Sequence, residues 1–282
     1  MHAWTTRAVN VGEVTLALDE WPGEGPRVLF MHATGFSRGV WRPIADRLAG
    51  RCRPISLDLR GHGGSSKPAP PYDWESITAD VLRLIELERW SDLIICGHSL
   101  GGAIAVDIAV RRPDLVRSLV LVEAPLADPE AGRRRSSGVA DMEDRALRRR
   151  HQWPDRQAAF EHLRARVPYS SWDDKVFEGF VDTAIEDTAD GVQLACTPEI
   201  EASLFAAARA SSGTWARIGQ IECPVWLGRG TGDRGLQSTT SPDAASRIPN
   251  VIERVAKGDG HFVPLERVEW VVQMVDEALG SS

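Results

Sequence analysis

Cysteine is scarce in this chain, and long uninterrupted apolar runs are missing altogether. Cys52, Cys96, Cys196 and Cys223 lie far apart and form no CxxC pair. That spacing excludes a disulfide scaffold and leaves buried free thiols as the expectation. No window approaches about 18 uncharged apolar residues, which argues against a membrane-spanning helix. Met1–Asp19 carries no long apolar stretch, so no secretory leader is expected, and a cytoplasmic protein fits best. Positive charge is in deficit too. The formal net charge is −7, with neither finger spacing nor interleaved basic and aromatic residues, so neither nucleic acid nor a membrane is an expected partner. No His, Cys and Asp set has zinc spacing, and no metal or organic cofactor is expected. Internal repeats and low-complexity linkers are absent.

What remains is a sequence of 282 residues, 43% apolar and 26% charged, enough for one large domain or one domain with an insertion. Val14–Asp19 alternates weakly as an early strand, and Trp21–Pro26 reads as a turn. Val28–Met31 is a continuous apolar run of the kind found in a central parallel strand. Arg51–Leu59 is a further strand candidate, running into the glycine-rich stretch Gly61–Ser65. Ile77, Val81, Leu84, Ile85 and Leu87 recur at helical spacing. Leu93–Cys96, a sharp turn at Gly97–Leu100, a small-residue helix over Gly101–Arg111 and a strand over Leu119–Val122 follow. Strand logic resumes at Pro224–Gly228 and Val251–Val255, and Val268–Leu279 is the closing helix. This order predicts an α/β fold, a doubly wound, mostly parallel sheet with an inserted helical cap. Residues 1–126 and 216–282 are expected to form the core, and 127–215 the cap. Arg133-Arg134-Arg135 and Arg148-Arg149-Arg150 within it read as solvated faces or loops.

Gly97-His98-Ser99-Leu100-Gly101 has the G-x-S-x-G spacing of a nucleophile elbow, with an apolar strand before it and a helix after it. A serine on such a turn takes strained backbone angles, so small neighbours are required, and the helix start points free N–H groups at a developing oxyanion. Ser99 is therefore the candidate nucleophile. His261, in the loop Lys257–Phe262 after a strand, is the candidate general base, because an imidazole can take and return a proton near neutral pH. His98 is expected to pack beneath the elbow and His62 to brace loops.

Two carboxylates qualify as the acid that orients His261. Glu123 follows four apolar residues and precedes Ala124-Pro125, where an unpaired carboxylate would be costly, and it is preferred. Asp233 lies five residues beyond Gly228, further than a rigidly held acid should, and is the alternative. Both follow strand ends, where open α/β sheets place function. Backbone N–H groups of Leu100 and of Thr34, or else Ala33, are the candidate oxyanion donors. Trp153, Trp172, Phe177 and Phe180 are candidates for an apolar pocket lining, although most such residues would form the core of the cap itself.

Together His32–Phe36, Asp58–Ser65, Gly97–Gly102 and Gly260–Glu266 resemble the α/β-hydrolase superfamily, in its branch of esterases and lactonases, over about Val14–Leu279. The family's first loop usually reads His-Gly, and Ala33 replaces that glycine. Most members carry the acid after the strand corresponding to Val225–Gly228. A subset, including fungal zearalenone lactonases, carries it at the position of Glu123, and the Ser99–Glu123 combination is similar to theirs. The resemblance implies a carboxylic ester hydrolase or lactonase acting through an acyl-enzyme on a small, partly apolar ester or lactone. Carbon–carbon bond hydrolysis of a β-diketone-like substrate, a cofactor-free haloperoxidase side activity and a non-catalytic small-molecule receptor stay open beside it. So does a homodimer, since exposed apolar faces are invisible in a sequence.

Overall fold

Short apolar runs become the strands of one eight-stranded sheet. They are β1 (Thr5–Asn10), β2 (Thr15–Glu20), β3 (Arg27–Met31), β4 (Arg53–Leu57), β5 (Leu93–His98), β6 (Val116–Val122), β10 (Val225–Gly230) and β11 (Val251–Ala256). Their spatial order is β1-β2-β4-β3-β5-β6-β10-β11. β2 is antiparallel to both its neighbours, and every pairing from β4 to β11 is parallel. β5 is buried at every position, as a central strand covered on both faces must be. The computed structural model describes residues 4–128, 137–210, 213–232 and 236–281. Arg133-Arg134-Arg135 and Asp233 lie outside the described residues.

The expected doubly wound, mostly parallel sheet flanked by helices is present. Two details differ from the sequence reading. β1 was not foreseen, because this edge strand is largely exposed and has no apolar alternation. Leu87 is 45% exposed, so the buried stripe of the helix Trp74–Leu87 ends at Ile85. Among the described residues no helix is long and apolar enough to cross a membrane. The thiols are free; Cys52, Cys96 and Cys196 are buried and Cys223 is half-buried.

Between β6 and β10 the chain is not purely helical. The helices Ser137–Arg148, Arg156–Arg164, Asp174–Ala184 and Pro198–Ala210 are joined by a small antiparallel sheet of β7 (Gln152–Trp153), β8 (Ile185–Thr188) and β9 (Gly191–Leu194). These strands escaped detection because the longest has four residues and Glu186-Asp187 interrupts the apolar pattern. Trp153, Trp172, Phe177 and Phe180 share one buried cluster with Phe30, Trp41 and Val122 of the sheet side. Hydrophobic burial therefore runs continuously from sheet to insertion.

One contact pins the two together. The helix Asp174–Ala184 meets the turn Arg38–Trp41 glycine to glycine, and a Cβ on Gly39 would run into the Gly179 carbonyl, or on Gly179 into that of Gly39. Thr183 Oγ1 accepts the Gly39 N–H at 3.1 Å and lies 2.7 Å from Ser37 Oγ. Overpacking such a contact costs about 1–3 kcal/mol. Gly179→Ala is thus expected to destabilise the fold by that amount, read as a lower urea midpoint at unchanged m-value in equilibrium unfolding. An unchanged midpoint would show that the contact relaxes freely.

Candidate active site

Strand register gathers the candidate residues at one sheet edge. β5 and β6 run parallel with His98 opposite Val122, so Ser99 and Glu123 each come one residue after paired strand ends. β10 places Gly228 opposite Val122, and Glu123 N–H donates to the Gly228 carbonyl at 2.9 Å. His261 follows β11 by five residues, and the loop 32–37 leaves the same ends of the strands from β3.

Ser99 has φ 51° and ψ −115°, a strained conformation for a non-glycine residue, and begins the helix Leu100–Arg111. The glycines around it are demanded by close packing. A Cβ on Gly97 would meet the Gly101 carbonyl, on Gly101 the Met31 carbonyl of β3, and on Gly102 the Cβ of Ala124 at 2.7 Å. Of the four non-glycine residues with positive φ among the described residues, two are Ser99 and Glu123 (φ 50°).

Glu123 is fully buried, and its carboxylate accepts four hydrogen bonds from described residues. Oε1 accepts from Gly230 N at 2.6 Å and Ser238 Oγ at 2.7 Å. Oε2 accepts from Thr239 N at 2.9 Å and His261 Nδ1 at 3.2 Å. Thr239 Oγ1 donates to the Glu123 carbonyl at 2.7 Å and, at 3.2 Å, shares the Nδ1–H of His261. A buried carboxylate demands such saturation. The contact to Nδ1 leaves Nε2 of His261 as the ring's free basic nitrogen. Ser238 and Thr239 were missed in the sequence; the hydroxyl run Ser238-Thr239-Thr240 was their only signal.

His261 is buried, and its backbone is fixed from two sides. Its N–H donates to the Leu236 carbonyl at 2.8 Å, and its carbonyl accepts from His98 Nε2 at 2.9 Å. His98 thereby ties the residue before Ser99 to the His261 loop. The structure thus brings Glu123 and His261 together and ties His261 to the neighbour of Ser99, while the Ser99 hydroxyl makes no hydrogen bond to the His261 ring. The N–H groups of Ala33, Thr34 and Leu100 donate to no other described residue, whereas that of Gly35 donates to His62 Nε2 at 3.0 Å.

The aromatic candidates divide. Trp172 and Phe180 meet Phe36 at ring-centroid distances of 4.8 and 5.9 Å, and Phe36 lies 6.2 Å from His98. Phe177 reaches that group through Phe180, and Trp153 packs against His162. All four are almost fully buried. Of the arginine run, Arg148 is exposed, but Arg149 pairs with Glu201 at 2.5 Å and donates to Tyr169 Oη at 2.7 Å. A Cβ on Gly35 would come within 2.6 Å of Glu201 Oε1, so this pair lies against the loop after β3.

Burial pushes His32 down to about 4, and burial together with the neighbouring His32 ring pushes His62 down to about 3. An unfolded imidazole titrates near 6.5. As the pH falls below that value, the unfolded chain takes up protons that the fold refuses. The stabilising contribution is therefore complete above about 6.5 and declines toward about 4 and 3. Urea midpoints should fall steadily over this acid window, and less steeply in His62→Gln. Equal slopes in the two proteins would rule out His62 as a source.

A parallel sheet whose strand ends gather a serine on a strained strand–helix turn, a histidine and a buried carboxylate is the architecture of the α/β-hydrolase class. The chain belongs to the α/β hydrolase family, whose model matches residues 28–274. It is 38% identical over 127 residues to the 2-(acetamidomethylene)succinate hydrolase of Mesorhizobium japonicum, a stretch making up 45% of each chain. It is 32% identical over 114 residues to the pimeloyl-[acyl-carrier protein] methyl ester esterase of Nitrosospira multiformis, 39% of this chain and 43% of that enzyme. These alignments span less than half the length of either relative. A crystal structure of E-2-(acetamidomethylene)succinate hydrolase superposes with a TM-score of 0.85 at 25% identity, covering 99% of this chain and 100% of that one.

Proposed function

We propose that the chain is a serine hydrolase that cleaves a carboxylic ester or lactone of a small, partly apolar substrate through an acyl-enzyme. Ser99 is the nucleophile, His261 the general base and Glu123 the acid. His261 Nε2 takes the Ser99 proton as Oγ attacks the carbonyl carbon, and the N–H groups of Leu100 and Thr34 receive the oxyanion. The same proton passes to the leaving alcohol. Water, deprotonated in turn by His261, then releases the carboxylic acid and regenerates Ser99. Residues 127–215 act as a cap over a core of 1–126 and 216–282, and Trp172 and Phe180 supply apolar lining beside Phe36.

The observation that carries this reading is the hydrogen bond from His261 Nδ1 to a fully buried Glu123 at the edge that also holds Ser99. An ester esterase among the relatives favours oxygen esters. Active-site labelling tests the proposal. A fluorophosphonate probe should label the wild type stoichiometrically and leave Ser99→Ala unlabelled, read by intact-protein mass spectrometry. No labelling of the wild type would favour a non-catalytic receptor.

A further inference from the structure

Two buried histidines grip consecutive peptide planes in the loop after β3. His32 Nδ1 lies 2.8 Å from the Ala33 carbonyl, which can only accept, so Nδ1 carries the proton. Its Nε2 is then the acceptor for Leu59 N–H at 3.2 Å. His62 works in the opposite direction between the same two loops. Its Nδ1–H donates to the Arg60 carbonyl at 3.1 Å, and its Nε2 accepts the Gly35 N–H at 3.0 Å. The rings meet edge to face at 4.7 Å, and both are fully inaccessible to solvent. Protonating either would remove the acceptor it needs, and burial keeps both neutral.

Peptide planarity gives these bonds a consequence for Thr34. The Ala33 carbonyl and the Thr34 N–H belong to one trans peptide and point in opposite directions. Held by His32 Nδ1–H and by Phe36 N–H at 3.2 Å, that carbonyl turns the Thr34 N–H away from His32. The next peptide contains the Thr34 carbonyl and the Gly35 N–H, and His62 holds it. Gly35 has φ +78°, and a Cβ there would come within 2.6 Å of Glu201 Oε1, so the glycine is demanded on both counts.

We propose that His32 and His62 are positioning residues for the oxyanion donor: each clamps one of the two peptide planes flanking Thr34, and together they aim its N–H. This rests on the reading of Ser99 as nucleophile and Thr34 N–H as donor. A misaimed donor acts in the transition state and spares ground-state binding, so kcat and kcat/KM fall together while KM holds. Loss of one such donor costs about 10²–10³-fold.

The test uses p-nitrophenyl butyrate hydrolysis by purified full-length protein. His32→Leu and His62→Leu should each lose about 100-fold in kcat with little change in KM. His32→Asn keeps a donor at the δ position and His62→Gln an acceptor at the ε position, and each should recover most of the loss. Leucine variants that lose thermal stability but keep wild-type kcat per folded molecule would reduce the histidines to a structural role and overturn the proposal. Should the leucine variants not fold, amide exchange in the wild type decides: a Gly35 N–H that exchanges like an open-loop amide refutes the clamp, and a protected one supports it. Ser99→Ala separates the two readings. If it is inactive while the leucine variants are normal, only the clamp fails; if it is fully active, the assignment of the nucleophile fails.

Discussion

Ser99→Ala should lower kcat for p-nitrophenyl esters by about 10⁶-fold, the loss typical when the nucleophile of a serine hydrolase is removed. Residual turnover is expected to stay about 10³–10⁴-fold above the uncatalysed reaction, because oriented N–H donors still stabilise an oxyanion formed by water attack. The size of the effect follows from where the hydroxyl sits. Ser99 holds φ 51° at the first turn of a helix whose glycines allow contact with β3 and β5. An alcohol is a poor nucleophile unless a base takes its proton during attack. The Ser99 hydroxyl is not hydrogen-bonded to the His261 ring in this structure, and the proposed mechanism requires that bond to form as substrate binds, as such contacts commonly tighten in a Michaelis complex. Alanine keeps the backbone strain and removes one oxygen, so the thermal midpoint should barely move. Steady-state kinetics beside a thermal melt separate the two quantities. Retained kcat in a folded Ser99→Ala protein would end the acyl-enzyme reading.

Glu123→Gln should cost about 10⁴-fold in kcat, comparable to the loss on converting the triad acid of a serine protease to its amide. The carboxylate now accepts from Gly230 N, Ser238 Oγ, Thr239 N and His261 Nδ1. An amide presents an NH₂ to some of those donors, which leaves buried N–H groups facing each other and favours the wrong imidazole tautomer. Stability should fall as well, by roughly 1–3 kcal/mol for the buried donors left unpaired. Asp233→Ala should keep near wild-type kcat. If Asp233→Ala loses the 10⁴-fold and Glu123→Gln does not, the acid is Asp233. Kinetics of the two variants on one ester decide the matter.

The legible parts of this protein were those whose cause is local. Val28–Met31 and Leu93–Cys96 announce central strands because a strand buried on both faces needs an unbroken apolar run. Gly97 and Gly101 mark the elbow because any side chain there collides with backbone. Glu123 was conspicuous as a carboxylate stranded after Leu119–Val122. By contrast β7, β8 and β9 are too short and too polar for a period to emerge, and they gain stability by β7 and β8 each pairing with β9 and by burying Trp153, Ile185, Val192 and Leu194 in the shared apolar cluster. Ser238 and Thr239 reach Glu123 from more than a hundred positions away, and nothing near either hydroxyl announces the partner.

From residue order alone came the α/β class and a candidate serine and histidine, because periodicity and glycine placement act over a few residues. Folding in three dimensions added the rest. It set His98 opposite Val122, brought His261 Nδ1 to Glu123, and made His32 and His62 grip the two peptides around Thr34. Strand register and buried hydrogen bonds join groups remote in the chain, and their energies depend on geometry that no local pattern records.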